Sequence, residues 1–215
     1  MAADTRERIV ETARQLFNEQ RFGKVTLLAL ATHLGMAKGN LWYHFHDKSA
    51  LLAAITERYL ERVAERERLG PEPGQSLASY VAFLRVLIAE MADYRFMYRD
   101  QTDYGEHSEA LRTALPAILD RVLGQFSAFY GAMIQEGHLD MPPRMLEAAG
   151  LNAGLVLRYF LEFARERGLP DGPAEDAVRA AIAQHLTLLE GRLTPGAFEY
   201  LHAQLGANPI HQGVL

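Results

Sequence analysis

Apolar residues recur along the chain at intervals of three and four, which is the spacing of one face of an α-helix. In residues 5–20, for example, Ile9, Ala13 and Leu16 share one face, and charged side chains occupy the other. No stretch alternates between apolar and polar positions as a half-buried strand would. The pattern predicts an all-α protein. Further helices are predicted over residues 26–34, 38–45, 48–68, 76–91, 94–103, 108–136, 143–167, 174–190 and 195–205.

The strongest helix-breaking cluster is Gly70-Pro71-Glu72-Pro73-Gly74, which indicates a domain boundary. We expect a small N-terminal domain over residues 1–50, a connecting helix over residues 51–70 and a larger helical bundle over residues 74–215. Charge divides at the same place, because residues 1–68 carry 11 Lys and Arg against 9 Asp and Glu, whereas the rest carry 11 against 18. This asymmetry is typical of a basic nucleic-acid-binding domain joined to an acidic body, although charge alone favours the alternative of a solvated charged surface.

Two of the predicted helices, residues 26–34 and 38–45, are separated only by Gly35-Met36-Ala37, which predicts a helix-turn-helix. In this motif the first helix braces against the DNA backbone and the second lies in the major groove. Helical spacing turns Leu41 inward and leaves the Trp42-Tyr43-His44 run facing outward. An exposed aromatic run of this kind indicates a binding surface.

The segment KGNLWYHFHDKSALL, residues 38–52, resembles the DNA-binding domain of the TetR family of bacterial transcriptional regulators, as do Thr26 and the first helix. The chain departs from the family pattern at Asn40 and Trp42, and at Arg21, where Gly commonly ends the first helix; we expect Phe22-Gly23 to supply that cap instead. The resemblance implies phosphate contacts from Thr26, Asn40, Trp42, His44 and Lys48, and base or groove contacts from Ala37, Lys38, Gly39 and Tyr43.

The resemblance also implies a fold and a function. The expected fold is an N-terminal three-helix helix-turn-helix DNA-binding domain joined to a larger C-terminal helical bundle for ligand binding and dimerisation. The expected function is that of a cytoplasmic, homodimeric repressor that binds a near-palindromic operator in double-stranded DNA and is released by a small hydrophobic or aromatic effector. The alternative is a helical small-molecule carrier or enzyme with a vestigial DNA-binding domain.

An aromatic-rich core in the C-terminal bundle predicts the effector pocket, because clefts between helices of bundles are usual ligand sites. Arg85 and Arg158 each lie in an apolar run, and each is either a surface residue or an anchor for an acid group on the effector, with Arg85 the favoured anchor. The alternative is a closed core without a ligand. The predicted pocket consists of Phe83, Arg85, Leu87, Tyr98, Phe129 and Tyr159.

Small residues recur at a spacing of four in the helix over residues 143–167, namely Ala149, Gly150, Ala153 and Gly154. They let another helix approach closely. The family resemblance implies that this helix and the one over residues 174–190 form a four-helix dimer interface, whereas the alternative is tight packing inside one subunit.

The composition excludes several kinds of chemistry. The chain contains no Cys, which excludes disulfides, thiol nucleophiles and Cys-based metal sites. His44 and His46 have no third ligand at suitable spacing, and the other histidines, including His185, are predicted to lie on the surface. No apolar run reaches the roughly 18 residues that a membrane span requires. We therefore expect no catalytic residues, metal, cofactor or membrane partner.

Overall fold

The computed structural model describes residues 2–104, 107–167 and 174–206, and these ranges are largely α-helical. The helices are α1 (Ala2–Gln20), α2 (Leu27–His33), α3 (Lys38–His44), α4 (Lys48–Glu67), α5 (Ser76–Asp93), α6 (Arg95–Arg99), α7 (Gln101–Tyr104), α8 (Glu109–Gln135), α9 (Leu146–Glu166), α10 (Ala174–Thr187) and α11 (Pro195–Leu205). Extended pairing within the described ranges is limited to one antiparallel bridge between Leu139 and Leu193. The prediction of an all-α protein is confirmed.

The described chain divides into two compact units, of which the first comprises the residues up to Ala64 together with Asp93–Ala117. Its core contains aromatic rings in edge-to-face contact, with the centroid of Phe17 5.0 Å from that of Phe22 and 5.2 Å from that of Phe96. This geometry is favoured for aromatic pairs because the positive ring edge meets the negative face. The core therefore joins α1 to α6.

This division differs from the domains expected from the sequence, because residues 93–104 and 107–117 pack with the N-terminal helices rather than with the rest of the expected C-terminal bundle. Arg99 makes some of the contacts between these segments. Its guanidinium donates hydrogen bonds to the carbonyl oxygens of Phe17, at 2.8 Å, and Asn18, at 2.9 Å. These carbonyls lie in the last turn of α1, and that of Phe17 also accepts a hydrogen bond from the amide of Arg21 at 3.1 Å.

The second unit comprises Glu65–Ala92 and the described chain from Ile118 onward. Helices α5, α8 and α10 contribute to its aromatic core, in which Phe83 and Phe129 stack with centroids 4.9 Å apart. A buried ion pair joins α4 to α5, with Arg66 Nε 2.9 Å from Glu90 Oε2. Both side chains are almost fully excluded from solvent, so removing either one would leave the other charge buried without this ion pair.

Candidate nucleic-acid interface

The two helices of the helix-turn-helix begin and end within one residue of the limits that the sequence predicts. The hydroxyl of Thr26 caps α2 by accepting a hydrogen bond from the amide of Ala29 at 3.1 Å. Gly35 ends α2 with φ of +66°, a left-handed conformation that glycine adopts at little cost. The amide of Met36 then donates to the carbonyl of Ala31 at 3.0 Å, which completes a Schellman-type helix end. This turn sets the position of α3 against α2.

Helix α3 separates its side chains into a buried and an exposed face. Leu41 is fully buried and Phe45, which follows the helix, is 2% exposed. Trp42 and Tyr43, by contrast, are 54% and 79% exposed. Because two large aromatic side chains in sequence are exposed while their apolar neighbours are buried, α3 presents a surface suited to contact with another molecule.

Most of the predicted DNA-contacting residues lie on this accessible surface. Seven are exposed, namely Thr26, Ala37, Lys38, Gly39, Asn40, Trp42 and Tyr43. His44 is half-buried, and its ring lies 5.4 Å from that of Tyr43. An added Cβ on Gly39 would meet no protein atom within 4 Å, so the space above this backbone is open.

Lys48 is placed differently from the expectation of a phosphate contact. Its ammonium donates a hydrogen bond to the carbonyl of Phe22 and lies 3.9 Å from the centroid of the Phe22 ring. Burial lowers the pKa of Lys48, while the carboxylates of Asp103 and Asp100 oppose that shift. The structure therefore gives Lys48 a role inside the first unit, where it links the start of α4 to the turn after α1.

The predicted effector pocket is brought together only in part. Phe83 and Phe129 stack in the core of the second unit, where Leu87 is also buried. Arg85 is exposed, and its guanidinium donates to the carbonyl of Gln204 at 2.5 Å. Arg85 is thus engaged at the surface rather than anchoring a group in the core.

The remaining two predicted pocket residues lie elsewhere. Tyr159 is 54% exposed on α9. Tyr98 belongs to the first unit, where its hydroxyl is 2.8 Å from the hydroxyl of Tyr59 on α4. The prediction fails for these residues because helical spacing identifies which side chains share a face but not which face is covered.

The small residues of α9 pack inside the subunit. Ala153 and Gly150 are buried, and Ala149 and Gly154 are half-buried. A Cβ on Gly150 would lie 3.2 Å from the carbonyl oxygen of Leu123 on α8, and one on Gly154 would lie 3.0 Å from a methyl carbon of Leu123. The close approach that these residues permit is therefore used by α8 of the same chain. This outcome matches the alternative of internal packing.

The core of the second unit contains a polar cluster, formed by His185, Tyr80 and Tyr130, that the sequence did not predict. His185, predicted to lie on the surface, is fully buried, and its Nε2 is 2.5 Å from the hydroxyl of Tyr80. The spacing of His185 from Ile182 and Ala181, at three and four residues, places it on the buried face of α10 and was the available signal. Burial lowers the pKa of His185 from 6.5 to about 4, so the ring is neutral at pH 7.

Neither a metal centre nor a membrane span is found in the parts of the chain that the structure describes. No group of three or more His, Asp or Glu side chains there could hold a metal ion. None of the helices described is both long and apolar enough to cross a membrane.

Two family models match the chain, and together they extend over both units. The model described as bacterial regulatory proteins of the tetR family matches residues 9–55, which contain the helix-turn-helix. The model described as a bacterial transcriptional repressor matches residues 58–201, which is more than half of the chain. The chain belongs to the TetR family of bacterial transcriptional regulators. Membership confirms the family resemblance of residues 38–52 and extends it across the acidic body.

Individual relatives agree with this assignment. A TetR-family regulator from Marinobacter aquaeolei has a solved structure that is 25% identical, with a TM-score of 0.79 over 95% of this chain and 99% of its own. The HTH-type transcriptional repressor Rv1474c of Mycobacterium tuberculosis is 39% identical over 70 residues, which are 31% of this chain and 37% of the relative. This chain thus matches little more than a third of that curated relative's length.

A third relative has been solved with a small molecule. The complex of SmeT with triclosan has a TM-score of 0.55 and 22% identity, over 90% of this chain and 94% of SmeT. At this identity the likeness concerns the fold alone.

Proposed function

We propose that this TetR-family protein is a homodimeric repressor that binds a near-palindromic operator through α3 and is released by a small-molecule effector. The observation that carries the proposal is the exposure of Trp42 and Tyr43 beside the fully buried Leu41. Such a regulator acts on chromosomal DNA and therefore in the bacterial cytoplasm. The alternative of a carrier or enzyme with a vestigial DNA-binding domain predicts no sequence-dependent binding to DNA.

Selection of bound duplexes from a random pool tests the proposal directly. We expect recovery of near-palindromic sequences whose affinity falls steeply with salt, because phosphate contacts release counterions. Replacing Tyr43 with Ala is expected to relax the preference at particular base pairs by about 1–3 kcal/mol each. Recovery of random sequences by the unmodified protein would contradict the proposal.

Replacing Gly39 with Ala separates DNA binding from stability. The added methyl group meets no protein atom and removes a poor helix former, so the free energy of unfolding should rise by up to about 1 kcal/mol. The same methyl group should weaken operator binding, because it occupies the space into which the DNA backbone approaches. Fluorescence anisotropy with labelled operator measures the affinity.

Gly124 provides the matched control, since it is an exposed helical glycine in α8 of the second unit and a Cβ there also meets no atom within 4 Å. Gly124→Ala should give a similar stability gain and unchanged DNA affinity. A Gly39→Ala variant that binds operator like the parent would argue against close approach of DNA at α3.

The proposed dimer interface is an apolar stripe on α9 rather than the small residues. Four large side chains at intervals of four are 47% to 54% exposed, namely Leu151, Leu155, Tyr159 and Phe163. A contiguous exposed stripe of this kind is uncommon on a monomer and is typical of a protein interface. A second copy of the chain is the proposed occupant, because α9 packs beside α10 and the resemblance implies a four-helix interface from these two helices.

Replacing Leu155 with Glu should convert the dimer to a monomer, because it buries a charge without a partner in the proposed interface. Sedimentation velocity should then give the 24.1 kDa mass of one chain instead of twice that mass. Ala128→Glu adds the same charge at an exposed position on α8 and should leave the dimer intact. A Leu155→Glu variant that remains a stable dimer would exclude this face. Gly154→Leu does not serve as a test, since it would disturb the contact with Leu123.

In a dimer of this kind, an effector can control DNA binding by changing the distance between the two α3 helices. These two helices would need to lie one DNA turn apart, about 34–36 Å, or a multiple of it, to contact two half-sites. Helix α4 contributes residues to both units, with Tyr59 in the first and Arg66 in the second. A ligand that binds one spacing of the α3 helices better than another would shift the population and release DNA.

A further inference from the structure

The proposed function leaves the polar cluster in the core of the second unit without a role. His185 Nε2 lies 2.5 Å from the Tyr80 hydroxyl, which in turn lies 3.4 Å from the Tyr130 hydroxyl. His185 Nδ1 is also buried, and it has no hydrogen-bond partner within the ranges that the structure describes. Buried polar atoms in folded proteins nearly always have a partner, and an exception requires an explanation.

The surroundings of the His185 ring are aromatic. The imidazole centroid lies 5.8 Å from the ring of Phe126, which is 5.3 Å from the ring of Phe83. The ring centroid of Tyr80 lies 5.5 Å from that of Phe129. A small number of polar groups among aromatic and apolar walls is the usual composition of a small-molecule site.

We propose that His185 is the polar recognition point of a small-molecule site in the second unit, and that its ligand is a neutral aromatic compound carrying a hydroxyl group, as in a phenol. A hydroxyl can both donate and accept, so it satisfies Nδ1 in either tautomer of the ring. The inference rests on the proposed function for its biological meaning, since it identifies the chemical class of the effector.

The charge of the site selects against an acid. Burial holds the pKa of His185 near 4, so the ring offers no positive charge to a carboxylate at neutral pH. Arg85, which the sequence suggested as the anchor for an acid group, donates to the carbonyl of Gln204 instead. A carboxylate beside His185 would therefore be buried without a counter-charge, which is costly.

Calorimetric titration of the full chain with phenol and with toluene tests the inference. The two probes have nearly the same shape, and only phenol carries a hydroxyl group. We expect phenol to bind at least about tenfold more tightly than toluene, and His185→Phe to abolish that difference. Equal affinity for the two probes, no binding of either probe, or a preference that persists in His185→Phe would overturn the inference. An ordered water satisfying Nδ1 in place of a ligand would give the first or second of these results.

Two further variants complete the test. His185→Asn places an amide near the position of Nδ1 and should retain part of the preference for phenol; it also serves if His185→Phe fails to fold. Tyr200→Phe removes an exposed hydroxyl from α11 of the same unit and should leave both affinities unchanged. A loss of phenol binding in Tyr200→Phe would place the site elsewhere and overturn the inference.

The titrations contain no DNA, so they test the site independently of the proposed repressor function. Operator binding, measured on the same variants without phenol, tests DNA recognition alone. Displacement of operator by phenol then tests the coupling between the two. A protein that prefers phenol through His185 but binds no specific duplex would contradict the repressor function and leave the site supported.

Discussion

Replacing Asp100 with Ala is expected to lower the free energy of unfolding by about 3–5 kcal/mol, because it removes a buried carboxylate that pairs with the buried guanidinium of Arg99. The carboxylate of Asp100 is fully buried and accepts a hydrogen bond from Arg99 Nε at 2.7 Å. It also accepts one from the amide of Phe22 at 2.8 Å. The Arg99 side chain is itself only 4% exposed, so water cannot replace the lost carboxylate. Urea unfolding followed by circular dichroism measures the change.

Asp120 supplies the control for this experiment. It is exposed on α8, and Asp120→Ala changes the net charge by the same amount. The free energy of unfolding should change by no more than about 0.5 kcal/mol in that variant, as for most surface substitutions. Equal losses in the two variants would mean that Asp100 does not hold α6 to the N-terminal helices.

Asp100 also lies beside the one strained residue at the end of α1. Arg21 has φ of 75° and ψ of 146°, a backbone region that is essentially restricted to glycine. The expectation that Phe22-Gly23 would supply the left-handed cap is therefore wrong. The guanidinium of Arg21 lies 3.7 Å from Asp100 Oδ1, and this ion pair helps to hold the strained conformation.

The helix-turn-helix could be predicted because the interactions that form it are local. The cap at Thr26 involves an amide three residues away, and the left-handed turn at Gly35 needs only the residue type. Leu41 is separated from the exposed Trp42 by one position on a short helix, so the periodicity alone assigns the faces. These features depend on short sequence separations, which a pattern reports directly.

The features that the sequence did not predict depend on contacts between distant residues. Lys48 donates a hydrogen bond to the carbonyl of Phe22, 26 residues away, and the residues next to Lys48 in the sequence do not indicate this contact. His185 is buried against Tyr80, 105 residues away. Gly150 faces α8 of the same chain, although its spacing fits a partner subunit equally well. Periodicity supplies the faces of helices, whereas the topology of packing decides which face meets which.

The stability of the protein is expected to depend on pH through His185. Its pKa is about 4 in the folded state and 6.5 as the ordinary value, so between these values the unfolded chain binds a proton that the folded chain does not. The free energy of unfolding should therefore fall as the pH is lowered from 6.5 to 4, by about 3 kcal/mol in total from this residue. Above pH 6.5 the ring is neutral in both states. Below pH 4 it is protonated in both states, so its contribution to the free energy of unfolding changes no further.

The contribution of His185 is isolated by comparison with His185→Phe, which lacks the titrating group. Urea unfolding of both proteins at pH 7, 5.5 and 4 gives three differences in the free energy of unfolding. Because carboxylates that titrate near pH 4 affect both proteins alike, they cancel in each difference. Between pH 7 and pH 4, the free energy of unfolding of the variant should rise relative to that of the unmodified protein by about 3 kcal/mol. Most of this change should occur above pH 4.5. A difference that does not change with pH would mean that His185 keeps its ordinary pKa in the folded chain, and it would contradict the burial of this ring in the uncharged form on which the phenol site rests.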